Sequence, residues 1–140
     1  MVMTLEADYA VRIMEMLSKS NKKIDAATIS TEAHVPLRFA LKILRKLVAF
    51  GLTVSYKGAH GGYMLAREPS KITLREVIES VEGPFMISRC QQDEYSCTHT
   101  NGCRFHQIYD DISVEVRSKL DSYTFDLLSD TETETEKQHK

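Results

Sequence analysis

The stretch from Asp25 to Ala66 narrows the fold more than any other part of the chain. Ala26 to Ala33 suits a short helix with Asp25 as its cap, because an Asp side chain accepts from the free N–H groups of a first helical turn. Pro36 follows where a first-turn proline belongs. Phe39, Ala40, Ile43, Leu44, Leu47 and Val48 then fall on one face of a second helix, which Gly51 stops. Two short helices joined at "HVP" outline a helix-turn-helix. In the following "LTVSYKGAHGGYMLA", Leu52, Val54 and Tyr56 alternate, a glycine-rich turn intervenes, and Tyr63, Met64 and Leu65 resume. This predicts a β-hairpin with a loop from Lys57 to Gly62. A helix-turn-helix followed by a hairpin is a winged helix.

The flanking segments fit that frame. Leu5, Tyr9, Ile13 and Met16 or Leu17 recur at helical spacing, with Thr4 as N-cap and Ser18 to Lys23 as a polar exit. In "ITLREVIESVEG" Thr73 and Glu76 form a capping box, and Gly83 ends the helix. Ile108, Ile112, Val116, Leu120, Tyr123 and Leu127, spaced 4, 4, 4, 3 and 4, predict a long amphipathic helix. It comes after the winged domain is complete, so a two-fold dimerisation helix is expected; the alternative is that it folds back on its own domain. The expected fold class is therefore mainly α with a small β-hairpin wing. Its parts are a winged-helix domain over 1–83, a cysteine-rich loop over 84–106, a dimerisation helix over 107–128 and an acidic, disordered tail over 129–140.

The net charge of −2 does not announce a nucleic-acid binder, but its distribution is more informative. From Pro36 to Lys71 the charged residues are Arg38, Lys42, Arg45, Lys46, Lys57, Arg67 and Lys71 against the single acid Glu68, while "SDTETETEKQHK" beyond Leu128 is acidic. Arg38, Phe39 and Lys42 lie near the N-terminus of the third helix, the end that usually enters the major groove. Arg38 suits bidentate contact with guanine; Phe39 suits either a thymine methyl or the core. Arg45 and Lys46, further along, suit phosphate or solvent. In the wing, Gly58, Gly61 and Gly62 allow close backbone approach, and Lys57 and His60 bring donors to the same tip. A solvated basic helix face and a contact-free hairpin are the plainer alternatives.

All three cysteines fall within Arg89–His106, with the spacing C-x6-C-x5-C at Cys90, Cys97 and Cys103. Met1 to Ala10 lacks the basic start and apolar run of a signal peptide, and no stretch approaches the ~18 apolar residues of a membrane span. A soluble, cytoplasmic protein is expected. In a reducing compartment, clustered thiols argue for a metal or redox site over disulfides. Thiolates suit iron–sulfur clusters and zinc.

"DYAVR", "LKILRKLVAFGLTVSYKGAHGGYMLA", "ITLREVIESVEG" and the three cysteines occur in this order. Together they resemble the bacterial winged-helix regulators of the iron–sulfur cluster regulator and nitrite-sensitive repressor (IscR/NsrR) type, from about Thr4 to Leu128. Lys57 to Tyr63 meets the family's wing motif, with lysine where arginine is usual; lysine keeps the charge but lacks the planar fork. The cysteine spacing is one residue longer than the family's usual first interval. The resemblance implies homodimers on near-palindromic double-stranded operator DNA. In some members it implies a cluster that senses iron, cluster supply, redox state or nitric oxide. It offers two fourth ligands. His106 stands where family members place a histidine on a two-iron cluster. Asp8 matches a carboxylate that completes a four-iron cluster from the partner subunit. We favour His106 and [2Fe-2S] over Asp8 and [4Fe-4S]; His99 is a lesser candidate. Either non-cysteine ligand would make the cluster labile, as a sensor requires.

The expected function is thus a homodimeric, non-enzymatic transcription regulator whose operator binding an iron–sulfur cluster controls. The alternatives are a winged-helix regulator with a zinc or thiol-redox switch, and a small iron–sulfur electron carrier, which would leave the basic helix and wing without a role.

Overall fold

Local caps set the helical frame. In the computed structural model, which describes residues 2–91 and 103–127, the Thr4 side chain accepts from Ala7 N and opens α1 (Leu5–Ser18). Asp25 does the same for Thr28 N at α2 (Ala26–Ala33). Thr73 and Glu76 form both halves of a capping box at α4 (Leu74–Glu82), and Gly83 follows it. Between them α3 spans Leu37–Ala49. Pro36 is its N-cap rather than a first-turn residue, since its ψ of 137° is extended. His34 turns the chain between α2 and α3 with a left-handed φ of 55°, and Gly51 (φ 82°) leaves α3 in the way a C-terminal glycine allows.

The hairpin pairs β1 (Thr53–Tyr56) with β2 (Gly62–Leu65), antiparallel, in the register Thr53–Leu65 to Tyr56–Gly62. Gly62 belongs to the strand, so the loop is shorter than expected. The expected alternation is also corrected: Leu52 is buried ahead of β1 and Thr53 is buried within it, whereas Val54 and Tyr56 are exposed. A two-stranded hairpin has only one covered face, and the glycine after α3 aims Leu52 into the core. Ile24 adds a third line of pairing, exchanging N–H···O bonds with Tyr63 at 3.1 and 2.8 Å.

Ile13, Met14, Leu17, Ile29, Ile43, Leu44, Leu47, Leu52, Ile72 and Val77 share one core. Phe125 is fully buried in that core as well, so the winged domain is not closed at Gly83. The cause lies in the last helix. α5 spans Arg104–Asp121 and stops short of the expected 128. The chain then turns back: Leu74 N donates to Tyr123 O at 2.9 Å, and Phe125 N donates to Ile72 O at 3.2 Å. Tyr123 and Leu127, which continue the apolar period, are therefore not on the helix. Asp121 joins the same seam through Arg75 Nη1 at 2.8 Å. The tail over 129–140 lies outside the described residues.

Candidate functional site

Burial on α3 divides the helix sharply. Ala40, Ile43, Leu44 and Leu47 face the core, which leaves Arg38, Lys42, Arg45 and Ala49 along the opposite, exposed side at intervals of 4, 3 and 4. Arg45 thus shares a stripe with Arg38 and Lys42 and is not merely distal. The guanidinium of Arg38 lies 4.9 Å from the Phe39 ring centre. Phe39 itself packs on the core, 6.0 Å from the Tyr9 ring. Its inward position favours the packing role over contact with a thymine methyl.

At the wing, Lys57, Gly58, Ala59 and His60 are exposed at the tip. Gly61 and Gly62 have a folding reason of their own. A Cβ on Gly61 would lie 2.2 Å from Tyr56 O, and one on Gly62 would lie 2.7 Å from Ile24 O. Neither position has room for a side chain, so these glycines let the wing close on itself and on the Ile24 segment. Gly58 (φ 103°) has open space around it, and only its backbone conformation favours glycine. Lys23 Nζ sits 4.2 Å from the Tyr56 ring centre and adds a cation beside the wing.

One acid enters this basic surface from far away in sequence. Glu6, in the first turn of α1, accepts from Lys42 Nζ at 2.6 Å and from Lys46 Nζ at 3.0 Å. These hydrogen bonds, Lys42 first and Lys46 second, hold its carboxyl below the usual carboxylate range. With separations of 36 and 40 residues, no local pattern reveals this clamp.

The cysteine site is anchored on α5. Cys103 is the N-cap of α5 and His106 lies in its first turn. The short 3-10 turn Arg89–Gln91 brings Cys90 to the same place, so that His106 Nδ1 is 3.3 Å from Cys90 Sγ. The Ser88 hydroxyl is 3.2 Å from the same sulfur. Polar residues that sequence reasoning passed over hold this arrangement. Fully buried Ser113 accepts from Ile87 N at 3.3 Å and donates to Gln91 Oε1 at 3.0 Å. Arg117 donates twice to Phe85 O, at 2.8 and 2.6 Å. Gln91 Nε2 is buried with no hydrogen-bond partner among the described residues. Ser113 sits where a helical period from Tyr109 would place an inward residue, and that is the one sequence signal it carried.

Cys97 and His99 lie outside the described residues. Among those described, no three His, Cys, Asp or Glu side chains converge as a metal site; Cys90 and His106 are the pair brought together. A thiol and an imidazole in contact, with a second thiol at the start of the helix that carries His106, are donors of the kind a thiolate–imidazole centre uses. Asp8 is engaged elsewhere, with Arg12 Nη2 at 2.8 Å from its carboxylate. No helix among the described residues is long and apolar enough to cross a membrane.

Comparison with known proteins places these features. The model of the Rrf2 family, described as iron-dependent transcriptional regulators, matches residues 3–131. The HTH-type transcriptional regulator IscR of Yersinia pseudotuberculosis is 30% identical over 126 residues, covering 89% of this chain and 76% of that protein. Among solved structures, CymR, the global cysteine regulator of B. subtilis, superposes with a TM-score of 0.74 at 25% identity, over 94% of this chain and 98% of its own. T. potens IscR gives a TM-score of 0.72 at 23% identity, over 94% and 88% of the two chains. These relatives are regulators, not enzymes.

Proposed function

The chain belongs to the Rrf2 family of winged-helix transcription regulators, and from that premise we propose that it acts in the cytoplasm as a homodimer whose operator affinity depends on an iron–sulfur cluster. Cys90, Cys97 and Cys103 would hold the cluster, with His106 as fourth ligand. The observation that carries this reading is the 3.3 Å contact between His106 Nδ1 and Cys90 Sγ. It joins residues 16 apart in sequence. Because the histidine is already beside the thiol while Asp8 is paired with Arg12, the contact favours His106 over Asp8, and with it [2Fe-2S] over [4Fe-4S].

When bound, such a cluster supplies a state that responds to iron, redox change or nitric oxide. The chain's own residues do the rest. Arg117 and Ser113 hold residues 85–91 on α5, and the exposed stripe of Arg38, Lys42 and Arg45 faces the major groove. Lys57 and His60 at the wing tip take phosphate or minor-groove contacts. Dimerisation finds support in α5, where Phe105, Ile108 and Ile112 are 63%, 40% and 41% exposed on a helix whose Val116 and Leu120 turn inward.

The test is anaerobic purification with iron and sulfide counting and a Mössbauer spectrum, on wild type, His106→Ala and Asp8→Ala. A two-iron spectrum that weakens in His106→Ala and persists in Asp8→Ala is expected. The reverse pattern moves the fourth ligand to Asp8. Zinc on elemental analysis, or an oxidant-driven disulfide without iron, would replace the cluster with a zinc or thiol switch.

A further inference from the structure

Glu6 is an acid set beside the basic face of α3. It stands in the first turn of α1, where free backbone N–H groups favour an anion. Its two oxygens take one ammonium each, Lys42 at 2.6 Å and Lys46 at 3.0 Å. The lysines are one turn apart on α3, a spacing at which like charges repel unless an anion lies between them. A DNA phosphate offers the same thing to a pair of lysines: two anionic oxygens within reach of two ammonium groups. Arg38 and Arg45, on the same helix, have no ion pair among the described residues. Glu6 thus offsets one of the four positive charges of α3.

We infer that Glu6 is a specificity-determining residue of the DNA interface, standing in for a phosphate against Lys42 and Lys46 so that one of their two charges is withheld from sequence-independent binding. The inference rests on α3 being the recognition helix. An ammonium has three donors. Lys42 can keep its bond to Glu6 and still aim a second N–H at a base acceptor in the groove, with its side chain already fixed in place. Binding to a matched site therefore does not require the clamp to open. Non-specific binding is different, because it draws essentially all its free energy from cations meeting phosphates. To draw on the full charge of both lysines it must pull them from Glu6 and leave a bare carboxylate beside a polyanion. Of the two ammonium charges in the clamp Glu6 offsets one, whatever the sequence.

The experiment measures affinity against salt for a duplex selected from a randomised pool and for a scrambled duplex of the same length and composition. In Glu6→Gln the scrambled duplex should bind severalfold tighter, and the slope of log affinity against log salt should steepen by about 0.9 for each lysine that reaches a phosphate. The selected duplex should gain less, so the ratio between the two falls. Glu115→Gln, the same charge change on the exposed side of α5, should leave that ratio as in wild type. An equal gain on both duplexes, an unchanged slope, or the same effect from Glu115→Gln would overturn the inference. The double variant Lys42→Gln, Lys46→Gln provides a second test if Glu6→Gln does not fold. One carboxylate against two ammonium groups leaves a net charge of one, so losing both lysines should make the scrambled-duplex slope shallower by about 0.9; a slope shallower by about 1.8 overturns the inference. Wild-type protein that binds neither duplex would instead overturn the reading of α3 itself.

Discussion

Glu6 links the stability of the fold to pH as well as linking two helices. Its folded carboxyl is depressed by the Lys42 and Lys46 hydrogen bonds, so the sign follows directly. The clamp contributes stability above the ordinary carboxylate value and loses it as pH falls through the depressed folded value. The side chains are partly exposed, so the effect is modest. Acid denaturation monitored by circular dichroism should show a shallower loss of stability below about pH 4.5 in Glu6→Gln than in wild type; superimposable acid limbs would mean the clamp is not populated. Gly62 makes a second prediction at this scale. A Cβ there would meet Ile24 O at 2.7 Å, on a backbone with φ of 150°. Gly62→Ala should lower unfolding free energy by about 1–3 kcal/mol, read by urea melts. It should also disturb the Ile24–Tyr63 bonds, visible as faster amide exchange at both residues.

The elements differ in how far the sequence announces them. The starts of α1, α2 and α4 are readable because a cap and its target lie three residues apart. The burial of β1 is not, because Val54 and Thr53 exchange faces for reasons that lie in the turn after α3. α5 shows the same limit. Its apolar period runs on to Leu127, yet the chain leaves the helix after Asp121, since the Ile72–Thr73–Leu74 backbone offers partners to Tyr123 and Phe125. The period also merges two faces. Val116 and Leu120 turn inward, whereas Ile108 and Ile112 stay exposed beside Phe105. If that outer face is the dimer seam, a charge in it is buried against its own copy, and the seam opens. Ile112→Glu should shift the protein from dimer to monomer in analytical ultracentrifugation while leaving its helical content unchanged. A variant that remains dimeric would move the interface off α5.

Across the whole molecule, a series of contacts runs between the two candidate sites. Cys103 and His106 occupy the start of α5, and Asp121 at its end bonds Arg75 on α4. α4 packs on α1, whose first turn holds Lys42 and Lys46 of α3 through Glu6. The basic stripe was legible because its residues share one helix face, and of the expected ligands the described residues bring together Cys90 and His106. The joints between the two sites, Ser113, Arg117, Asp121 and Glu6, were not legible, because each acts across the fold. If the path couples the sites, loading and stripping the cysteine loop must change affinity for a selected duplex, by about 5- to 150-fold for a typical coupling. The direction of the change distinguishes a form that binds DNA when loaded from one that binds when stripped. Its salt dependence separates two causes. A shift in helix position changes affinity with little change in slope, whereas an added charge near the DNA changes the slope. Removing iron with a chelator should therefore alter wild-type affinity at nearly constant slope, and the combined Cys90→Ser, Cys97→Ser and Cys103→Ser variant should show no response to the same treatment. Equal affinities for loaded and stripped wild type, or an equal response in the serine variant, would uncouple the cysteine loop from the DNA-binding surface.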